Sequence, residues 1–169
     1  MPEKETLERA KKDEQEGKSP STQAGEFVRE EMHHVREGKH GARSTKQAIA
    51  IGLSKARRAG VKLVAPKQGR SSAQVRKKAQ QDLRKGQESG GQKPSRRRSR
   101  AVSGALQREG RSAASPKSVA RQARSAAQAR GPVARHEAAM KAVRTKGKTG
   151  MQRAARKAAQ TRASQRRAA

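Results

Sequence analysis

Residues 25–62 read GEFVREEMHHVREGKHGARSTKQAIAIGLSKARRAGVK. Between Phe27 and Val64 lie ten of the chain's larger apolar residues, Phe27, Val28, Met32, Val35, Ile49, Ile51, Leu53, Val61, Leu63 and Val64. Val28, Met32 and Val35 recur at i, i+4, i+7, which places them on one face of a helix over about 25–37, with Gly38 as its stop. Ser44 stands three residues before Gln47, the spacing of a capping box, and opens a second helix that ends at Gly60. Its stripe is Ile49, Gly52, Leu53 and Ala56, flanked by Ala48 and Ile51. The short segment 38–43 makes the two helices neighbours, so a helical hairpin is expected over 25–66. VKLVAP, residues 61–66, reads as a short extended piece folding back over it.

Outside this stretch there is little to bury. Leu, Ile, Val and Phe number five, two, nine and one among 169 residues, roughly a tenth, below the ~20% at which a highly charged chain is expected to order. The remaining apolar content is mostly alanine, which favours helix and removes little area from water. The expected class is therefore mostly α: a small helical hairpin followed by short marginal helices and disordered basic linkers, with no substantial hydrophobic core. Residues 1–24 read as a charged, disordered lead, and 67–169 as a basic tail. Ser71 is expected to cap a helix to about Lys85, Ser95 one to about Glu109, and Ser115-Pro116 one ending near Gly131. Helices over 133–145 and 149–167 follow, each expected to persist mainly when phosphates neutralise its charge. QESGGQKPS, residues 87–95, reads as a flexible linker.

The stretch quoted above resembles a bacterial family known as domain of unknown function 6496. Met32-His33, Lys39-His40-Gly41 and Ser44 through Arg57 carry the resemblance, with Lys46, Gln47, Ala48, Ile49, Ala50, Ile51, Leu53, Ser54 and Ala56 in register. The resemblance covers about a quarter of the chain and implies a small helical module. It transfers no catalytic residue, because the family has no established activity.

Charge points to binding rather than chemistry. Lys and Arg total 43 against 14 Asp and Glu, a net +29. Residues 1–37 hold ten acids and seven bases, net −3, so the other 132 residues carry 36 bases, four acids and net +32. Arginine outnumbers lysine 25 to 18, which favours bidentate phosphate contacts. With no cysteine there is no thiolate metal site. No stretch has the ~18 apolar residues of a membrane span, and the first residues lack a signal-peptide core, so a cytoplasmic, nucleoid location is expected.

The candidate phosphate contacts fall in three groups. Lys39, His40, Arg43, Lys46, Lys55, Arg57 and Arg58 belong to the hairpin, where no acid interleaves between Glu37 and Asp82. Arg96, Arg97, Arg98 and Arg100 form the densest cluster, and Lys117, Arg121, Arg124, Arg153, Arg156 and Lys157 follow. Ser115-Pro116-Lys117 resembles one Ser-Pro-Lys unit of linker histones, with Ser118 in place of the second base. Neighbouring histidines diverge by about 100° on a helix, so His33 and His34 do not share an ion, and no metal site is expected. His40 is expected to cap carbonyls or touch a phosphate. No phosphate loop and no catalytic constellation is legible, so neither an enzyme nor a cofactor is expected.

Trp and Tyr are absent and Phe27 is the sole aromatic ring of that kind, which argues against single-strand binding by base stacking. The expectation is sequence-tolerant binding to nucleic acid, duplex DNA first, as a small nucleoid- or plasmid-associated protein. Structured RNA presents the same phosphates, so an rRNA- or ribosome-associated role is the first alternative. The second is a disordered stress-type or protein-interaction module whose acidic first segment meets a protein partner. No membrane and no small-molecule substrate is expected.

Overall fold

The Ser44 cap forms as its spacing predicts: in the computed structural model its hydroxyl accepts from the Gln47 amide at 3.2 Å, and the Gln47 side chain accepts from the Arg43 amide at 2.9 Å. The structure describes residues 2–69, 71–88 and 95–167. Among them are six α-helices, one 3₁₀ turn and no strand: α1 (Lys4–Gln15), α2 (Pro20–Glu37), α3 (Thr45–Arg58), α4 (Ala73–Gln87), α5 (Arg96–Gln107), the 3₁₀ turn (Ser112–Ala114) and α6 (Pro116–Arg167). The chain divides into two units, Met1–Gln122 and Ala123–Ala169.

In the first unit α2 and α3 pair as a hairpin, and Gly38 ends α2 in the left-handed conformation, φ 79°. Their contact is close because it is made by small residues. A Cβ built at Gly52 would stand 2.7 Å from the Val28 Cα, nearer than a side chain tolerates. The buried stripe of α3 is Thr45, Ala48, Gly52 and Ala56, and Ile49 and Leu53 flank it partly buried, a rotation from the expected Ile49–Leu53 centre. The helices meet through the small side chains and use the large ones as a rim.

The hairpin is not isolated. The expected disordered lead over 1–24 is, in its described residues 2–24, ordered: α1 packs on α2, with Thr6, Ala10 and Asp13 buried. Leu7, Ala10, Ala24, Phe27, Leu53, Ala56, Val61 and Leu63 form one apolar cluster. On the other side of α2, Met32, Val35, Ala42 and Ala48 meet Ala113, Ala114 and Val119 from far downstream. Thr45 Oγ1 donates to the Ala113 carbonyl at 2.6 Å and Arg36 Nε to that of Ala114 at 2.9 Å, fixing the 3₁₀ turn across α2 and α3. Eight of the twelve buried apolar residues are alanines. Their weak transfer energy suffices here because they let backbones approach, so the core extends well beyond a hairpin.

The tail also departs from expectation. Its described residues are mostly helical, as the expected short helices were, but α4 is not marginal: it packs on α3 with Ala79 and Asp82 buried. The cap of α4 is Ser72, one residue later than expected, its hydroxyl accepting from the Val75 amide at 3.3 Å. Ser95 precedes α5 as expected. Residues 61–66 form no strand; Val61 and Leu63 pack inward. Most of the expected linker 87–95, namely 89–94, lies outside the described residues.

Helix α6 leaves helical geometry at Gly131 (φ 78°, ψ 172°) and Gly147 (φ 64°, ψ 177°). Only glycine adopts such angles without strain, and both sit between the helices expected from the sequence. None of its described residues is fully buried, and Val119 in its first turn packs partly buried on the Met32 cluster. No helix of the structure, among the described residues, is long and apolar enough to cross a membrane.

Candidate nucleic-acid interface

The hairpin cations divide into two classes. Lys55 Nζ stands 2.7 Å from Glu31 Oε2 and 3.2 Å from Glu30 Oε1, both carboxylates being fully buried on α2. Arg57 is itself buried and donates through Nε to the Leu63 carbonyl at 3.0 Å, tying the chain after α3 back onto it. Burial pushes the Arg57 guanidinium pKa down, against the opposing charge of Asp82. Lys39 bridges Glu3 at 3.0 Å and Glu37 at 3.2 Å, and these hydrogen bonds raise its pKa. His40 Nε2 lies 3.3 Å from Glu31 Oε1 while Nδ1 lies 3.0 Å from the Gly41 carbonyl. Both ring nitrogens of His40 thus have partners within the fold, and neither caps a carbonyl of α2. Lys39, His40, Lys55 and Arg57 each have partners within the fold, Lys39 at its surface.

Arg43, Lys46 and Arg58 remain exposed and have no carboxylate within 4.0 Å among the described residues. Arg96, Arg97, Arg98 and Arg100 lie exposed in the first turns of α5, and Lys117 and Arg121 in those of α6. Ser115 acts as a helix cap, its hydroxyl accepting from the Ser118 amide at 3.2 Å, so the Ser-Pro-Lys segment is the start of a helix and not an extended arm.

In the second unit Arg124, Arg153, Arg156 and Lys157 are exposed on α6. Arg153, Arg156 and Lys157, at i, i+3, i+4, share one face. This unit carries 13 of the 43 bases and one acid, Glu137. None of its bases has a carboxylate within 4.0 Å among the described residues, whereas Arg9, Lys18, Arg29, Lys39, Lys55, Lys78 and Arg84 of the first unit do.

The acids are correspondingly engaged. Glu3, which precedes α1, accepts from His34 Nε2 at 2.9 Å and from Lys39, and these bonds hold its carboxyl down at about 2. Asp82, buried on α4, accepts from Ser54 Oγ at 2.7 Å. Sequence reasoning saw the excess of acids in residues 1–37 but not their use. The signal was present as Glu30-Glu31 on the face of α2 next to Phe27 and Met32, where only a reachable cation could neutralise them.

Residues 17–68 match the model of a family described as a family of unknown function, DUF6496. The match runs from the turn after α1 to the loop before α4, and so contains the hairpin, Glu30, Glu31, His40 and Lys55. No curated protein and no solved structure matches the chain.

Proposed function

We propose that the chain binds nucleic acid through phosphate contacts and without reading base sequence, duplex DNA being the principal partner, as a small nucleoid- or plasmid-associated protein. The observation that carries this reading is the sorting of charge. Carboxylates of the first unit pair with a few cations, and most of the other described basic side chains are exposed, chiefly on helices. Exposed arginines along a helix suit the spacing of phosphates on a duplex, and without aromatic platforms they discriminate little between sequences. The burial of Glu30 and Glu31, and the pairing of Glu3 and Glu37 with Lys39 at the surface, also reduce the acidic face of residues 1–37 available to a protein partner.

The test is fluorescence anisotropy with two unrelated labelled DNA duplexes across a salt series. If about eight phosphates are contacted, log K falls against log salt with slope near −7, about ten-thousandfold between 50 and 200 mM. Both duplexes are expected to bind alike. A slope near zero overturns the reading, and tighter binding to an RNA duplex of the same sequence moves the partner to RNA.

A further inference from the structure

Glu31 is a carboxylate with no exposure at all, and neither of its oxygens accepts a hydrogen bond among the described residues. Lys55 Nζ is 2.7 Å from Oε2 but off the hydrogen-bonding direction, and His40 Nε2 is 3.3 Å from Oε1. Beside it Glu30, also buried, accepts from the Glu3 amide at 3.1 Å and from Lys55. Two buried carboxylates therefore share one permanently charged partner, and the remaining negative charge calls for a second cation.

Two imidazoles face this deficit. Ligand atoms of Glu31, His34 and His40 all lie within 4.8 Å of one another. The two rings stand edge to face with centroids 6.0 Å apart. His40 Nδ1 is within hydrogen-bonding distance of the Gly41 carbonyl, 3.0 Å, which assigns the ring proton there and leaves Nε2 as a bare lone pair aimed at Glu31. His34 Nε2 is similarly occupied by Glu3, leaving Nδ1 on the side of Glu30, 4.0 Å away. Lone pair against carboxylate at 3.3 Å is repulsive unless a proton or a metal ion lies between. Bond lengths of about 2.0–2.2 Å in a tetrahedral site place ligand atoms about 3.3–3.6 Å apart, the separation of His40 Nε2 and Glu31 Oε1. A ring held by a carbonyl or carboxylate through its second nitrogen is the usual setting of a ligating histidine.

We propose that Glu31, His34 and His40 bind a divalent transition ion of the zinc class. Two imidazoles and one carboxylate, with both rings mostly buried, supply three protein ligands and leave the fourth tetrahedral position to water. A cleft of about 450 Å³ lined by Glu3, Arg9, Glu30, His34 and Lys39 reaches the His34 edge of the site. The ion would join α2 to the 38–43 loop, whose Gly41 and Ala42 amides donate to the carbonyls of Leu106 and Gly110 at 2.8 and 3.0 Å. Metal loading would in this way secure the end of α5 to the hairpin.

The test uses the full chain freed of metal by a chelator that is then dialysed away. Co²⁺ alone is expected to give the intense visible absorption of a tetrahedral site, and Zn²⁺ to bleach it with micromolar or tighter affinity. Zn²⁺ is expected to raise the melting temperature by several degrees and to slow hydrogen exchange at Gly41 and Ala42. His34→Gln and His40→Gln each weaken Zn²⁺ by 100-fold or more, while His33→Ala, exposed on the diverging side, leaves it unchanged. Should either glutamine variant fail to fold, the ¹⁵N shifts of the histidine rings in the parent decide: shifts at His34 and His40 alone support the site. The proposal is overturned if Co²⁺ keeps the weak spectrum of the hydrated ion, if His33→Ala loses as much affinity as the others, or if the ring shifts show two imidazolium ions unaffected by Zn²⁺.

Discussion

Replacing Lys55 by methionine separates a cation that holds the fold from one that binds phosphate. The substitution keeps most of the apolar stem and leaves Glu30 and Glu31 buried without their shared ammonium group. Removing one partner of a buried ion pair costs about 3–5 kcal/mol, and the 22% exposure left to the Lys55 side chain argues for the lower end, ~3 kcal/mol. Unfolding entropy of about 2.1 cal/mol/K per residue over the 122 residues of the first unit gives about 0.26 kcal/mol/K, so the melting temperature falls by about 12 °C. Circular dichroism at 222 nm, in chelator-containing buffer, measures this directly. Lys55→Met with Glu31→Met recovers part of the loss, because one of the two uncompensated buried charges is removed while Glu30 remains. At 10 °C, where the folded form persists, the salt slope for duplex DNA is expected to be unchanged by Lys55→Met and to fall by about 0.9 in Arg58→Ala, whose side chain is exposed. A Lys55→Met melt within 2 °C of the parent, or a double variant no better than the single, refutes the assignment of Lys55 to the interior.

Other substitutions probe the remaining links. Gly52→Ala places a Cβ 2.7 Å from the Val28 backbone and is expected to destabilise the first unit by about 1–3 kcal/mol in a thermal melt, whereas a neutral result would show that α2 and α3 separate freely. Gly147→Ala meets nothing within 4 Å to hold the bend, so it should straighten α6 and deepen the 222 nm signal; Gly131→Ala should not, because Pro132 disfavours helical geometry at the residue before it. Lys18, hydrogen-bonded by Asp13 and Glu16, has its pKa raised above the usual 10.5. Its contribution is therefore complete below pH 10.5 and is lost as pH rises through the higher folded value, so parent and Lys18→Met melts should differ most below pH 10 and converge in strong alkali.

Helix starts were legible because they are local. Ser44, Ser95 and Ser115-Pro116 each precede the helix expected of them, and Gly38, Gly131 and Gly147 mark ends or bends that need no tertiary information. What escaped was long-range. Ala113 and Ala114 carry no apolar signal strong enough to predict that they cover Met32 and Val35, and nothing near Leu7 announces that α1 lies against Phe27. The ion pairs escaped for the same reason: Lys55 and Glu31 are 24 positions apart, and only the antiparallel hairpin joins them. The histidine argument was sound for His33 and His34 but did not reach His40, which the Gly38 turn brings back beside His34.

The uneven use of acids makes the two units respond differently to salt. In the first, the Glu30, Glu31 and Lys55 cluster is buried, and buried pairs are screened little. In the second, Arg153 faces Arg156 and Lys157, and Arg162 faces Arg166, with Glu137 as the single acid of the unit. Each such like-charged pair at helical spacing costs about 0.2–0.5 kcal/mol, a cost that added ions remove. Because the described residues of α6 from Ala123 onward include none that is buried, these small terms weigh directly on its helicity. Amide exchange on the full chain should therefore slow across 123–167 as salt rises from 20 to 300 mM, while α2 and α3 change little. Duplex DNA at low salt should produce the same slowing, since phosphates supply the missing anions. If protection rises equally in both units, or if DNA slows exchange in α2 and α3 alone, the second unit is not the part of the chain that depends on anions.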